Sequence, residues 1–345
     1  MKFKAAILVE CKRPLLIDEI SLNPLKEGQV LIKILKSGIC RSQIFEIDGE
    51  RGEDKWLPHL LGHEAIGLVI DIGKSVKKIK VGDQVIASWI RSKGISAEPA
   101  KYLLNNKIIN GGQITTFSEY SVCSEDRLVK FNDQRIEYIG PSIGCAMATG
   151  FGLAMTLPDI NEAEFVAVIG LGGIGMSSLL SASMHSNAKL IGIDLNQNRL
   201  NEAKTILKNV KFINPKELNI NREIEQITNG QMLDVVIESS GNINALNQSI
   251  DLINNQGIVK FATHPRNGDF LKINPFELIK GKRIEGSWGG DINPDEDLIK
   301  IINKIYNKKK FVNLFTEKVY KLHQINKAID DMRLGKVLRP IIDME

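Results

Sequence analysis

A glycine-rich turn between an apolar run and a helical stretch constrains this chain more than any other segment. The turn reads Gly170-Leu171-Gly172-Gly173-Ile174-Gly175 and follows the continuous apolar run Phe165–Ile169. Such a run is typical of a strand in a parallel sheet that is covered on both faces. The first glycine permits a tight turn, the second lets a pyrophosphate approach the backbone, and the last allows close packing of helix on strand. The pattern predicts a strand–turn–helix unit that binds a dinucleotide.

An acidic residue, Asp194, ends the next predicted strand, 19 residues after Gly175. Its carboxylate can accept hydrogen bonds from the ribose hydroxyls of NAD, whereas the 2′-phosphate of NADP would meet a like charge. We therefore expect NAD(H), with its pyrophosphate at the N-terminus of the helix, although the nearby cation of Arg199 softens the repulsion. The predicted cofactor-binding residues of this unit are Gly170, Gly172, Gly173, Ile174, Gly175, Asp194 and Arg199. The alternative is a turn without a ligand, in which Asp194 caps a helix.

Two parts of the chain differ in their pattern. Residues 1–130 carry short strands separated by glycine-containing turns, which predicts an antiparallel, partly barrel-like domain. From about residue 147 strands and helices alternate, which predicts a doubly wound parallel sheet of the Rossmann type. We expect an α/β fold in which a dinucleotide-binding domain, residues 147–287, is inserted into a strand-rich catalytic domain made of residues 1–146 and 288–345.

Composition narrows the class of protein. The 345 residues carry a net charge of +4, which is too small and too dispersed to indicate binding to nucleic acid. We find no secretory signal and no run of about 18 apolar residues that would predict a membrane span. Four cysteines in a chain of this length are not a disulfide framework. The expectation is a cytoplasmic protein.

Three separated segments each offer a soft metal ligand, namely Cys40, His63 and Cys145. Two thiolates and an imidazole would form a three-ligand zinc site, and the open fourth position is the mark of catalytic zinc. Beside a nicotinamide cofactor, such a Lewis acid indicates interconversion of alcohol and carbonyl by hydride transfer. Taken singly, a buried cysteine is usually a small apolar residue and the histidine could belong to the core. Spacing alone does not prove that the three residues converge.

The order of the motifs resembles the zinc-containing medium-chain dehydrogenase/reductase family, the alcohol dehydrogenase group. The resemblance rests on Gly38-Ile39-Cys40-Arg41-Ser42, Gly62-His63-Glu64, the segment Gly144–Gly150 and the glycine turn, and extends to Val81–Val85, Phe117–Tyr120 and Gly335–Arg339. It covers essentially the whole chain and implies that the strand-rich catalytic domain is GroES-like. It also implies that the three metal ligands converge.

The resemblance implies a role for each matching residue. Cys40, His63 and Cys145 match the catalytic zinc ligands, and Glu64 matches a carboxylate beside the metal that can exchange onto it. Ser42 matches the hydroxyl that takes the proton of the substrate alcohol. Further matches concern the cofactor: Arg41 and Arg339 match residues that hold the pyrophosphate, Thr149 matches a nicotinamide contact, and Gly286–Gly290 resembles a loop near the nicotinamide.

Three departures from the family pattern concern this site and its surroundings. Gln43 stands where an Asp is usual beside the zinc-binding histidine, and a neutral amide supplies no negative charge there. Phe45 stands where many relatives carry a histidine that relays the proton, which a phenyl ring cannot do. The segment Ser96–Gly111 contains no cysteine, where many relatives bind a structural zinc through four. We expect no structural zinc, and a lobe packed instead by Tyr102, Leu103, Leu104, Ile108 and Ile109.

The leading hypothesis is an NAD-dependent alcohol dehydrogenase with one catalytic zinc per chain, acting on a small alcohol, a polyol or a modified sugar. A biosynthetic carbonyl reductase of the same family is the alternative. A non-catalytic nucleotide-binding protein is a distant one, and a zinc-free relative of the quinone-reductase type would not need the three ligands. The resemblance also implies a homodimer or homotetramer.

Overall fold

The computed structural model describes all 345 residues and contains two compact units. The first unit consists of Met1–Cys145 and Asn293–Glu345, and the second of Ala146–Ile292. In sequence, the second unit is therefore an insertion in the first. None of the helices has the length and apolar character needed to cross a membrane.

Strands account for most of the first unit and for the central sheet of the second. In chain order they are β1 (Lys2–Leu8), β2 (Leu16–Leu22), β3 (Gln29–Gly38), β4 (His59–Leu60), β5 (Glu64–Ile72), β6 (Gln84–Ser88), β7 (Lys101–Leu104), β8 (Lys107–Asn110), β9 (Tyr120–Ser124), β10 (Leu128–Lys130), β11 (Phe165–Ile169), β12 (Lys189–Ile193), β13 (Val210–Ile213), β14 (Leu233–Glu238), β15 (Ile253–Phe261), β16 (Arg283–Gly286), β17 (Val319–Lys321) and β18 (Ile341–Asp343).

Helices lie mainly in the second unit and in the returning tail. They are α1 (Arg41–Ile47), α2 (Arg135–Ile139), α3 (Ala146–Met155), α4 (Gly173–His185), α5 (Gln197–Ile206), α6 (Ile220–Ile227), α7 (Ile243–Leu252), α8 (Pro275–Ile279), α9 (Pro294–Ile305), α10 (Lys309–Thr316) and α11 (Ile325–Arg333).

The first unit combines a small closed barrel with a larger sheet. The barrel runs in the order β1-β2-β7-β8-β4, and the sheet in the order β10-β6-β5-β3-β18-β17 with β9 also paired to β3. Strand β18, from the returning tail, pairs with β3. The tail therefore adds a strand beside β3, the strand that leads into Cys40. This strand-rich, partly barrel-like unit agrees with the expectation from the sequence.

A β-hairpin occupies the segment in which many relatives would hold a structural zinc. Strands β7 and β8 are joined by Asn105 and Asn106, both with positive φ (48° and 65°), which is the backbone of a two-residue hairpin turn. The side chains of Tyr102 and Ile109 are buried in the barrel, and the Tyr102 hydroxyl accepts a hydrogen bond from the N–H of Val122. These two residues pack the lobe as expected, whereas Ile108 is 54% exposed and does not.

The second unit is built around a parallel six-stranded sheet in the order β13-β12-β11-β14-β15-β16. Strand β11 is buried along its whole length, as a central strand covered on both faces must be. A core of aliphatic side chains from the sheet and from α6 and α7 fills one of its sides. The predicted fold class, a Rossmann-type sheet inserted into a GroES-like unit, is confirmed.

Candidate active site

Three side chains of metal-ligating types, from separate segments, meet inside the first unit. Cys40 lies between β3 and α1, His63 lies directly before β5, and Cys145 follows the 3-10 turn Pro141–Gly144. Their ligand atoms all lie within 4.8 Å of one another. His63 Nε2 is 3.2 Å from Cys145 Sγ, which is 4.0 Å from Cys40 Sγ. Tetrahedral zinc, bonded at about 2.3 Å to sulphur and about 2.0 Å to nitrogen, needs ligand separations of roughly 3.6–3.8 Å, so the trio fits a zinc ion.

Two glycines explain how the backbone brings these ligands together. Gly62 has a φ of 92°, a conformation that favours glycine, and turns the chain immediately before His63. A Cβ on Gly144 would lie 2.4 Å from the carbonyl oxygen of Ala87, so only glycine lets the segment that carries Cys145 pack against β6. The hydroxyl of Ser88 then holds that segment by donating to the Gly144 carbonyl at 2.7 Å.

The two buried thiols share one hydrogen bond, which shifts their pKa values in opposite directions. The pKa of Cys40 lies well below its usual range because the Cys145 thiol donates a hydrogen bond to it, and the charge of Arg339 acts in the same direction against the effect of burial. The pKa of Cys145 lies well above its usual range because it shares that hydrogen bond and is buried beside the charged Cys40. A metal ion held by both sulphurs would require both to be thiolates, so its binding would release protons.

A buried ion pair lies against this trio. The carboxylate of Glu64, at the start of β5, is completely buried, and the guanidinium of Arg339 is 4% exposed. Arg339 Nη1 lies 3.2 Å from Glu64 Oε1 and also donates to the carbonyl oxygen of Ile39 at 3.1 Å. A Cβ on Gly38 would lie 2.4 Å from Glu64 Oε1, so glycine at that position leaves room for the carboxylate.

The side chain of Gln43 connects two of the ligands. It occupies the third position of α1 and is 1% exposed. The backbone N–H of Cys40 donates to Gln43 Oε1 at 2.7 Å, as a capping-box residue does at the start of a helix. The amide nitrogen of the same side chain lies 2.6 Å from His63 Nδ1. Gln43 thus fixes both the backbone of one ligand and the ring of another.

Helix α1 carries three further residues of interest. The Ser42 hydroxyl oxygen is buried and has no hydrogen-bond partner within the protein. Such an orphaned group fits contact with a bound molecule, since buried polar groups are normally paired. The guanidinium of Arg41 lies over the ring of Phe45, 5.5 Å from its centroid, in a cation–π contact.

In the second unit the glycine turn leads directly into helix α4. Gly170 adopts a φ of 84°, and α4 begins at Gly173. A Cβ on Gly175 would lie 1.8 Å from the carbonyl oxygen of Gly170, so the close approach of helix and turn requires glycine. A Cβ on Gly172 would meet no atom within 4 Å, so the backbone there is open to a ligand. Ile174 lies in the first turn of α4.

The carboxylate of Asp194 follows β12 and is 7% exposed. Its Oδ2 accepts a hydrogen bond from the Leu171 N–H at 2.6 Å, and its Oδ1 accepts one from the Asn196 N–H at 2.7 Å. Arg199 Nη1 lies 3.6 Å from Oδ2. On α3, the Thr149 hydroxyl is buried without a hydrogen-bond partner in the protein, as Ser42 is in the first unit.

Comparisons with known proteins identify the family. The model of the alcohol dehydrogenase GroES-like domain matches residues 26–133, and the model of the zinc-binding dehydrogenase matches residues 173–305. Alcohol dehydrogenase class-3 of Dictyostelium discoideum is 31% identical over 377 residues, covering 99% of this chain and 97% of the relative. The chain belongs to the zinc-containing alcohol dehydrogenase family.

Other members of the zinc-containing alcohol dehydrogenase family match over the same length. Alcohol dehydrogenase 1 of Petunia hybrida is 27% identical over all of this chain and 97% of its own. The crystal structure of benzyl alcohol dehydrogenase from Acinetobacter calcoaceticus superposes with a TM-score of 0.85 at 24% identity and covers 100% of both chains. The structural likeness supports the fold, and the sequence relatives support an oxidoreductase of alcohols.

For this alcohol dehydrogenase family member, the sequence singled out the ligands but missed how their surroundings are connected. The Glu64–Arg339 ion pair joins residues separated by 275 positions, and nothing local in the sequence signals it. The contact of Gln43 with His63 agrees with the place beside the histidine that the resemblance implies. Its contact with Cys40 had one signal, since glutamine at the third position of a helix is a capping-box residue.

Proposed function

We propose that this protein is an NAD-dependent alcohol dehydrogenase that holds one catalytic zinc ion through Cys40, His63 and Cys145. The single observation that carries the proposal is the convergence of the three ligand atoms within 4.8 Å. Zinc bound there would supply Lewis-acid chemistry and acidify a coordinated alcohol, with the fourth position open to substrate. The hydride acceptor would be a nicotinamide dinucleotide.

The residues around the trio have separate proposed roles. Ser42 takes the proton of the alcohol, because its hydroxyl oxygen is buried and lacks any protein partner. Glu64 is buried beside Arg339 and compensates its charge, and its carboxylate can exchange onto the metal. Arg41 and Arg339 bind the pyrophosphate, and Phe45 supports Arg41 by stacking against its guanidinium.

The backbone of Gly170, Gly172, Gly173, Ile174 and Gly175 is proposed to cradle the pyrophosphate at the start of α4. Asp194 is proposed to select NAD over NADP through the adenosine ribose, and Thr149 to contact the nicotinamide. Support comes from the open backbone at Gly172 and from the orphaned Thr149 hydroxyl. In D194G the preference for NAD should relax toward NADP, measured as the ratio of kcat/KM values for the two cofactors. A parent protein that already prefers NADP would contradict this assignment.

The zinc assignment is tested with cysteine variants. In C40S the zinc content should fall from one ion per chain toward zero while binding of NADH, followed by fluorescence, is retained. The matched control is C11S, because Cys11 is a free thiol in the same unit that lies outside the trio. An unchanged zinc content in C40S would show that Cys40 is not a zinc ligand. Two zinc ions per chain would contradict the proposed absence of a structural zinc.

Substrates are proposed to be small alcohols, polyols or modified sugars. A panel of alcohols and carbonyl compounds, assayed in both directions, distinguishes an alcohol-oxidising enzyme from a biosynthetic reductase.

The protein is proposed to form homodimers or homotetramers, because the edge strand β16 is flanked by the exposed apolar side chains of Ile279 (77%) and Trp288 (75%). Light scattering on the parent and on I279K tests this. A parent protein that is monomeric at micromolar concentration would contradict it.

A further inference from the structure

The amide of Gln43 is held between the backbone of one zinc ligand and the ring of another, and its two ends are chemically different. We propose that this amide opposes zinc binding, because the hydrogen bonds of the metal-free site and of the metal-bound site require it to face opposite ways. Gln43 is therefore a positioning residue that makes the metal of this chain more exchangeable. The inference rests on the proposed zinc site and adds a property of that site.

The backbone fixes the orientation of the amide. The N–H of Cys40 can only donate, so the atom 2.7 Å from it must be the amide oxygen, Gln43 Oε1. The other end of the amide, an NH2 group that can only donate, then faces His63 Nδ1 at 2.6 Å. His63 Nδ1 must accept this hydrogen bond, and the neutral ring carries its proton on Nε2.

The metal-free network is complete in this arrangement. The proton on His63 Nε2 points to Cys145 Sγ, 3.2 Å away, so the ring donates to sulphur. Each of the three nitrogen atoms that donate, Cys40 N, Gln43 Nε2 and His63 Nε2, faces an acceptor. Since Gln43 is 1% exposed, water does not readily replace any of these partners.

A bound zinc ion would require the proton of His63 to lie on the other ring nitrogen. The Nε2 atom faces the sulphurs, so it is the atom that would bind the metal, and it needs a free lone pair to do so. The ring proton must then lie on Nδ1, where it meets the NH2 group of Gln43. Rotating the amide by half a turn gives His63 an acceptor but sets the NH2 group against the N–H of Cys40. Either way a buried donor is left without an acceptor, which is costly.

A carboxylate at position 43 would remove this conflict. Both of its oxygens accept, so one could receive the N–H of Cys40 and the other the N–H of His63 at the same time. Glu has the same length and shape as Gln, so Q43E changes the donor–acceptor pattern while keeping the side-chain frame. We expect zinc affinity to rise about 10- to 100-fold in Q43E, the range that partners of metal-binding histidines usually control.

The first test is competition for zinc between a chromophoric chelator and the metal-stripped full-length protein. Q43E should retain zinc at chelator concentrations that strip the parent, and Q43D serves as a second carboxylate variant should Q43E fail to fold. The control Q248E adds the same charge on an exposed glutamine of the second unit and should leave zinc affinity unchanged. A zinc affinity of the carboxylate variants equal to or below that of the parent overturns the inference.

The second test does not involve metal. NMR of histidine-labelled, metal-free protein reports which ring nitrogen of His63 carries the proton, and the His63→Asn variant assigns its signals among the five histidines. The parent should show the proton on Nε2, and Q43E a proton on Nδ1. A parent with the proton on Nδ1 overturns the inference. Failure of both parent and variants to bind zinc would instead contradict the proposed function, which keeps the two results distinguishable.

Discussion

The ion pair between Glu64 and Arg339 gives the sharpest prediction for stability. Both side chains are buried, at 0% and 4% exposure, and the nitrogen–oxygen distance is 3.2 Å. In R339M an apolar chain of similar length replaces the guanidinium and leaves the carboxylate buried without that countercharge. Removing one partner of a buried pair typically costs about 3–5 kcal/mol of unfolding free energy. We expect a loss of this size for the metal-free protein.

The measurement is urea unfolding followed by tryptophan fluorescence. Trp288 belongs to the second unit, so a W288F background confines the signal to the first unit, where Trp56 and Trp89 lie. The matched control is R333M, since Arg333 pairs with Asp48 at the surface with a side-chain exposure of 35%. An exposed pair of this kind contributes about 0–1 kcal/mol.

A double variant separates the lost charge from lost packing. In E64Q/R339M neither partner is charged, so the uncompensated charge disappears and much of the loss caused by R339M alone should be recovered. If R339M costs no more than R333M, the pair does not stabilise the fold and the reasoning is wrong. If the double variant is as unstable as R339M, the cost lies in packing rather than in charge.

Three further predictions concern other parts of the chain. In G175A the new Cβ would lie 1.8 Å from the Gly170 carbonyl oxygen, so NADH affinity in a fluorescence titration should fall at least about 10-fold. F45L removes the cation–π contact with Arg41 and should weaken NADH binding about 2- to 5-fold. An unchanged NADH affinity would show that Phe45 does not contribute to cofactor binding. Burial raises the pKa of Tyr102 from 10.0 to about 12, so its contribution to stability is complete below pH 10 and is lost as pH approaches 12. Urea unfolding at about pH 9 and about pH 11 should therefore show a smaller alkaline decline for Y102F than for the parent.

Local requirements of the backbone made some of this structure predictable. The glycine turn could be located because a positive φ at Gly170 and the close approach at Gly175 each demand one residue type. Helix α3 could not be located in the same way, because nearly all of its residues are buried and its sequence lacks an amphipathic period. The hairpin of β7 and β8 had a usable signal in Asn105-Asn106, a pair of residues that tolerates the positive φ of such a turn.

The residue types of the proposed metal site were predictable from the sequence, and the contacts between them were not. Cys40 and Cys145 lie 105 positions apart, and no period or spacing relates them, so only the family resemblance implied that they meet. The direction of the Gln43 amide depends on the backbone N–H of Cys40 and on the ring of His63 together, which is a property of coordinates rather than of sequence.

The two parts of the first unit are synthesised at different times, and this affects how the unit folds. The three proposed metal ligands are all synthesised by residue 145, whereas Arg339 and strand β18 follow about 200 residues later. At about 5–20 residues per second, roughly 10–40 s pass between the synthesis of Cys145 and that of Arg339, and throughout this time Glu64 lacks the guanidinium that balances it. The sheet of the first unit is complete only after strand β18 has been synthesised.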